Sequence, residues 1–390
     1  MPNHLLTNVI PQIMAQGLSV LKRSAIMPRL VYSDYSNDAR ERGSTIDIPI
    51  IDDATVVAVT PAAFAPTAVT VQPTKVQLSL DWWREVAFPL GDDEIEKAMA
   101  GLLPLRAEAA IYALGRAVDT KLLQLYKDIG TSGGVAGTTP FASTATAFLD
   151  ARIGLNALNA PIEGRNVVLG HLAEGNAVGL AQFFKADERG DQGGIVDGQI
   201  GKKYGAYWYL NQGVVTHTMT TAIPATCVVC TAVVTGASVI QVRVTNSAGG
   251  TAYALSAGDL FHLANDAAYE NYAVLTAVDV SVTAASTAMT CQVYPHARRS
   301  YATTIVCTGV ATHVPNLYFH PRAFAWATRP LTRSQFSDQL GSVWMSVVDP
   351  LTGLAIRLEV SRQYKQTTWS WDILGGALTV RNELAARILG

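Results

Sequence analysis

Four side chains in this sequence have the chemistry of metal ligands or redox centres: Cys227, Cys230, Cys291 and Cys307. The first two form a Cys-x-x-C pair, and a second pair could complete a zinc site. The surrounding residues argue against this. "TCVVCTAVV" is rich in β-branched residues and reads as a strand. In a strand, residues three apart point to opposite faces, so Cys227 and Cys230 are poorly placed to share one ion. The preferred reading is buried structural thiols, with a metal site or a disulfide as the alternative. His171 and Glu174, three apart, would share one face of a helix, but no third ligand follows and a solvated face is the simpler reading. Gly201–Lys202 in "GQIGKKYG" is followed by Lys203 in place of Ser or Thr, and Val196 stands where a phosphate loop needs glycine. The Gly-rich "GTSGGVAGTTPFAST" lacks the Gly-Lys-Ser/Thr ending as well. The seven histidines are scattered, without a local Ser/His/Asp or Cys/His signature. No catalytic residue, cofactor or metal is therefore expected.

Composition favours an assembly subunit, and a large secreted β protein would look similar. The chain has 390 residues, 49% of them hydrophobic and only 15% charged, against about 25% charged in an average soluble protein. A chain so poor in charge either exposes little charged surface or covers much of its surface with partners. With 29 basic and 31 acidic residues the net charge is −2, so there is no basic excess to neutralise a phosphate backbone. A near-neutral wall suits a container that must not trap its nucleic acid. No apolar run reaches the ~18 residues of a membrane span. In "MPNHLLTNVIPQIMAQGLSVLKRSA" the basic residues follow the apolar part, so no secretory signal is expected and folding in a cytoplasm is.

The elements that must position any site read in order along the chain. Residues 1–43 form an arm with helical apolar spacing at Ile13, Gly17 and Val20 or Leu21, able to cap its own core or lie on a neighbour. "STIDIPI" and "KVQLSLD" alternate as strands, with Ile46, Ile48 and Ile50 on one face and Val76, Leu78 and Leu80 on the other's. The Pro-broken stretch between them makes an extended hairpin, which is marginal alone in water and would lean on another chain. In 91–130, Ile111, Leu114, Val118, Leu122, Leu125 and Ile129 mark one stripe on a helix of about 24 residues, ~36 Å long, with Pro104 near its start and Gly130 as its stop. Residues 145–213 alternate helix and strand. Residues 214–308 give several short Val/Thr/Ala-rich strands, a small barrel or sandwich that looks inserted. Residues 332–390 return to strands, with a hairpin at "DPLTG" and a chain reversal at Gly375–Gly376.

One aromatic stretch stands out, "NLYFHPRAFAWATRPL" at 316–331. Asn316–Phe319 is expected to finish a strand, Pro321 to open a short helix carrying Phe324 and Trp326 inward, and Pro330 to end it. Its rings then act as a structural lock instead of a ligand platform.

This order of parts resembles the HK97-type major capsid proteins of tailed phages, and most closely the short-tailed-phage coat proteins with an inserted β-barrel domain. Three segments carry the resemblance: "GGIVDGQIGKKYGAYWYLNQG", "NLYFHPRAFAWATRPL" and "WSWDILGGALTVRNELAARIL". It implies an α+β, HK97-type capsid fold. The N-arm would be 1–43 and the extended loop 44–81. The peripheral domain with its spine helix would be 82–129 and 332–390, the apical domain 130–213 and 309–331, and the inserted β-barrel domain 214–308. It implies a self-assembling shell of hexamers and pentamers around double-stranded DNA that is contacted non-specifically. A portal protein at one vertex and a decoration protein are the other partners implied. No long charged helical segment precedes the arm, so a separate scaffolding protein is expected. The implied location is the virion, assembled in the host cytoplasm without a membrane. Contact residues between subunits are expected among Arg84, Glu85, Arg322, Arg329, Phe64 and Lys75, the last being the one lysine of 44–81 available to a covalent cross-link. An encapsulin-like cellular shell, a secreted β-rich adhesin and an enzyme are the competing readings, in that order.

Overall fold

The computed structural model describes residues 14–15, 17, 19, 21, 25–33, 45–50, 74–93, 102–184, 200–219, 223, 227–244, 252–267, 269–281, 288–331, 342–349 and 353–390. In chain order these form β1 (Thr45–Ile50), β2 (Thr74–Ser79), β3 (Trp82–Gly91), helix α1 (Leu102–Leu123), β4 (Ser132–Gly133), α2 (Thr146–Ala157), β5 (Arg165–Leu169), α3 (His171–Gly179), α4 (Ala181–Phe184), β6 (Lys202–Lys203) and β7 (Ala206–Leu210). A run of short strands follows: β8 (Cys227–Val229), β9 (Val239–Val244), β10 (Ala252–Leu255), β11 (Leu260–Leu263), β12 (Asn271–Val274), β13 (Val278–Ser281), β14 (Ala288–Tyr294) and β15 (Cys307–Gly309). The chain ends with β16 (Pro315–Phe319), β17 (Phe324–Arg329), β18 (Val343–Val348), β19 (Ala355–Gln363), β20 (Gln366–Thr379) and β21 (Ala385–Leu389). The architecture is mixed α and β, with strands outweighing helices among the described residues.

Two sheets form the body. The first has the order β4-β21-β16-β5-β7-β6, and α2 packs on β4 and β21. Its central strands β5, β16 and β21 are buried on both faces, which is why "RNVVL", "PNLYF" and "AARIL" lack a polar alternation. The second sheet has the order β17-β20-β19-β18, with β3 alongside β20. In β19, Ile356, Leu358 and Val360 are buried while Arg357 and Glu359 lie half-buried on the other face, as the alternation predicts.

Helix α1 follows its apolar stripe. Ile111, Leu114, Val118 and Leu122 are all buried, and Tyr112 and Arg116 face out. The α-helix tightens at Leu123 into a 3-10 turn over Gln124–Asp128. Gly130 is there for space: a Cβ would overlap the carbonyls of Tyr294 and Asn271. Of the N-terminal arm, the described Met14, Gly17 and Leu21 are buried, at the helical spacing of one face. They belong to the chain's own core, with Gly17 against Ile111 and Trp371.

β1 and β2 pair antiparallel, from Thr45↔Ser79 to Ile50↔Thr74. Their inner face, Ile46, Ile48 and Leu78, seats on Ala325 and Ala327 of β17. The tip of this hairpin lies outside the described residues.

The six strands of the third sheet run β15-β11-β12-β14-β9-β8. A bridge between Val228 and Val306 joins its two ends, so the sheet closes into a barrel. The barrel has its own core, including Ile240, Val242, Phe261, Tyr272 and Val293.

Two expectations are corrected. Phe324 and Trp326 do not ride on a helix. Helical geometry stops after the 3-10 turn Pro321–Ala323, and Phe324–Arg329 is a strand paired with β20. The stretch 316–331 thus crosses from the first sheet to the second, its rings buried at the crossing. Nor does Gly375–Gly376 reverse the chain: β20 runs straight through it for 14 residues. The glycines admit close neighbours, because a Cβ on Gly376 would overlap the Ser79 carbonyl and one on Gly375 would press on the Trp326 ring. The pairing also divides the chain differently from the expected boundary at 331/332. Phe324–Arg329 joins the sheet of β3 and β20, while Ala385–Leu389 joins that of β5 and β16.

Candidate assembly surface and buried junctions

The residues picked out for contacts lie on separate surfaces. Arg84 and Glu85 are exposed neighbours on β3. Arg84 stacks 5.7 Å from the Trp82 ring centroid, and Glu85 accepts a hydrogen bond from the Ser370 hydroxyl at 2.5 Å. Lys75 is exposed on β2, where its ammonium meets Asp47 of β1 at 2.9 Å. That pair holds the Asp47 carboxyl below its ordinary range, chiefly through the Lys75 hydrogen bond. Arg322 is exposed at the rim of a cleft of about 520 Å³ between Tyr32, Ile48, Ile50 and Glu383. Arg329 is half-buried at the end of β17. Phe64 lies outside the described residues. The structure therefore pairs Lys75 and Glu85 within the chain, with Asp47 and Ser370, while Arg84 and Glu85, adjacent along β3, belong to opposite faces of the strand.

What the residue pattern did not reveal is a set of buried polar junctions. The first is Asp119, on α1 among its apolar stripe. Its carboxylate accepts from the Ile26 amide at 3.1 Å, the Met27 amide at 3.0 Å and the Asn211 side-chain amide at 2.7 Å. It thus holds the arm's 3-10 turn, Met27–Arg29, against the spine helix. Burial pushes its pKa up from 3.8 to about 6, against the opposing pull of those N–H donors.

The second junction fastens the barrel to the body. His217 and His313, on the strands that enter and leave the barrel, exchange backbone hydrogen bonds at 2.8 and 3.1 Å. The His217 ring joins the Tyr126 hydroxyl at 2.9 Å and the Asp259 carboxylate at 2.8 Å. Arg387 of β21 donates to the carbonyls of Gly258 at 2.9 Å and Lys127 at 3.2 Å, and stacks on Tyr126. Burial lowers the Arg387 pKa to about 9 and that of His313 to about 4. His313 is therefore neutral, its Nδ1–H donating to the Ala311 carbonyl at 2.9 Å. A third junction places Glu270 between Arg298 and Arg299, with Arg298 donating to Thr131 at 3.0 Å. Residues 126, 217, 259, 313 and 387 are too far apart in sequence for any spacing rule to join them.

Cys227, Cys291 and Cys307 are buried in the barrel core and Cys230 is half-buried, all as free thiols. Among the described residues no group of three His, Cys, Asp or Glu side chains is placed to hold a metal ion. No described helix is long and apolar enough to cross a membrane.

No family model and no curated protein matches the chain. Among solved structures it is similar to a chain of Mycobacterium phage Che8 at 14% identity and a TM-score of 0.52, covering 93% of this chain and 90% of that one. It is also similar to the capsid of the cyanophage P-SCSP1u, at 13% identity and a TM-score of 0.47 over 93% and 87% of the two chains. A third is the mature capsid of bacteriophage PhiM1, at 11% identity and a TM-score of 0.45 over 89% and 82%. The first of these likenesses shows a shared fold over nearly the whole length of both chains.

Proposed function

We propose that this chain is a major capsid protein, many copies of which close the icosahedral head of a tailed phage around its double-stranded DNA. The observation that carries the proposal is the fold held in common with a phage chain over nine-tenths of both lengths. The low charge content, 15%, and the near-zero net charge fit a wall that meets other copies of itself and does not bind its contents tightly. The role is structural and not catalytic.

Within this proposal the parts are those of an HK97-type subunit. The extended loop (44–81) lends contact area to neighbours, as does the arm (1–43) beyond the residues it packs on its own core. The spine helix and second sheet form the peripheral domain, the first sheet the apical domain, and the closed barrel an inserted domain. Shell closure requires heterologous contacts repeated around five- and six-fold axes, each burying on the order of 1,000 Å² or more. Projecting elements reach that area without a large flat patch. Arg84, Glu85, Arg322, Arg329, Phe64 and Lys75 are the proposed contact residues. A separate scaffolding protein, a portal at one vertex and a decoration protein are the proposed partners, and the virion the proposed location. Deleting Thr55–Gln72 tests the loop's role. The variant is expected to stay folded and soluble but to form no shells by electron microscopy, and normal shells would refute that role.

A further inference from the structure

The barrel is closed at one narrow seam. β8 is three residues long and meets the segment leading into β15 through the Val228–Val306 bridge. Backbone bonds from the Val229 amide to the Ile305 carbonyl at 2.9 Å and from the Thr304 amide to the Val229 carbonyl at 2.8 Å hold it. One step along this antiparallel register, Cys227 stands opposite Cys307. Both side chains turn into the core and both are fully buried. The two thiols are near enough to shift each other's ionisation, Cys227 down and Cys307 up.

Opposed residues of an antiparallel pair have Cα atoms about 4.5–5.5 Å apart, inside the roughly 4.4–6.8 Å window of a disulfide. That spacing places the two residues within reach of a disulfide. The neighbouring thiols are placed differently. Cys291, on β14, faces Ile240 of β9, and Cys230 follows β8 with its side chain beside Thr231 at 4.0 Å.

We infer that Cys227 and Cys307 are a latent disulfide pair that staples the barrel seam when the protein meets a disulfide oxidant. The chemistry is thiol–disulfide exchange with a small-molecule disulfide such as oxidised glutathione. The first protein thiolate attacks one glutathione sulfur, forming a mixed disulfide and releasing one glutathione thiolate. The second protein thiolate attacks the mixed disulfide and releases the other. Two protein thiols are oxidised, one glutathione disulfide is reduced to two glutathione molecules, and the thiol protons pass to them. Cys227 is the thiol that ionises first, because the neighbouring Cys307 thiol lowers its pKa, while Cys307 is held above its ordinary value. With both sulfurs buried, exchange proceeds through opening of the short β8 strand, so it is slow until the seam opens. The bond then closes the chain from 227 to 307 into a covalent ring around the barrel core.

The test uses the full-length protein incubated with oxidised glutathione in a low concentration of urea, then alkylated and analysed by intact mass and peptide mapping. The expected product has lost two hydrogens and yields one cross-linked peptide pair, Cys227 with Cys307. Its barrel should be cleaved severalfold more slowly by protease than the reduced form, and dithiothreitol should reverse this. Cys307→Ser should abolish the product, whereas Cys230→Ser should leave it unchanged. If Cys307→Ser does not fold, the peptide map of the wild type still decides. A protein that keeps four free thiols, carries only glutathione adducts, or links Cys230 or Cys291 instead would overturn the inference.

Discussion

Asp119→Ala removes a buried carboxylate that three donors depend on, and its effect should depend on pH in a definite direction. The Met27 amide and the Asn211 side chain lose their acceptor in a buried setting, at about 1–3 kcal/mol each. The Ile26 amide is part-buried and can reach water. Against this loss stands the cost of keeping the carboxylate ionised inside the protein. Burial raises its pKa from 3.8 to about 6, a difference of about two pH units or ~3 kcal/mol between the protonation states. The folded state therefore holds a proton that the unfolded chain has released between these two values. Stability from this group is fully present below about pH 4 and is lost as pH rises to about 6. Urea unfolding of wild type and variant, followed by tryptophan fluorescence from pH 4 to 7.5, isolates the group because all other titrations cancel in the difference. The penalty of Asp119→Ala should be about 3 kcal/mol larger at the acid end. A penalty that is flat, or that grows as pH rises, would show that the N–H donors outweigh burial and that the carboxylate is held as a stabilised anion.

Three further outcomes follow from the packing. Trp326→Ala should cost about 3–5 kcal/mol and lower the melting temperature, since the ring is fully buried against Trp82 and Gly375; an unchanged melting curve would refute the lock. Gly376→Val should displace β2 from the second sheet, because its Cβ meets the Ser79 carbonyl. It should cost about 3 kcal/mol and expose the hairpin to limited proteolysis, whereas wild-type resistance would contradict the packing. His313→Gln should flatten an acid limb of the stability curve. The imidazole pKa falls from 6.5 to about 4 on folding, so its contribution is present above about pH 6.5 and is lost towards pH 4, an effect of ~3 kcal/mol. An amide can replace both its roles, donor to Ala311 and acceptor from Arg387, and parallel wild-type and variant pH profiles would refute this.

Legibility in the sequence tracked the range of the interaction. The stripe from Ile111 to Ile129 and the alternation of β1, β2 and β19 were legible because burial on one face imposes a local period. Misreading Phe324–Trp326 as helical has a clear cause. Pro321 does open helical geometry, but backbone pairing to β20 claims the chain three residues later. Gly375–Gly376 reads as a turn until one knows that the Ser79 carbonyl and the Trp326 ring occupy the space a side chain would need. For the expected contact residues, the sequence shows the charges but not their partners. Two of those charges, Lys75 and Glu85, spend themselves on Asp47 and Ser370 of the same chain. The His217–Asp259–Arg387 junction was illegible because its members meet only after the barrel closes and β21 docks.

The central claim, that copies of this chain build a shell, is tested most directly by cryo-electron microscopy of the purified full-length protein concentrated under assembly conditions. Closed shells or curved lattices of five- and six-fold capsomers are expected. A protein that stays monomeric at every concentration, and also when expressed with the genes that neighbour its own, would refute it.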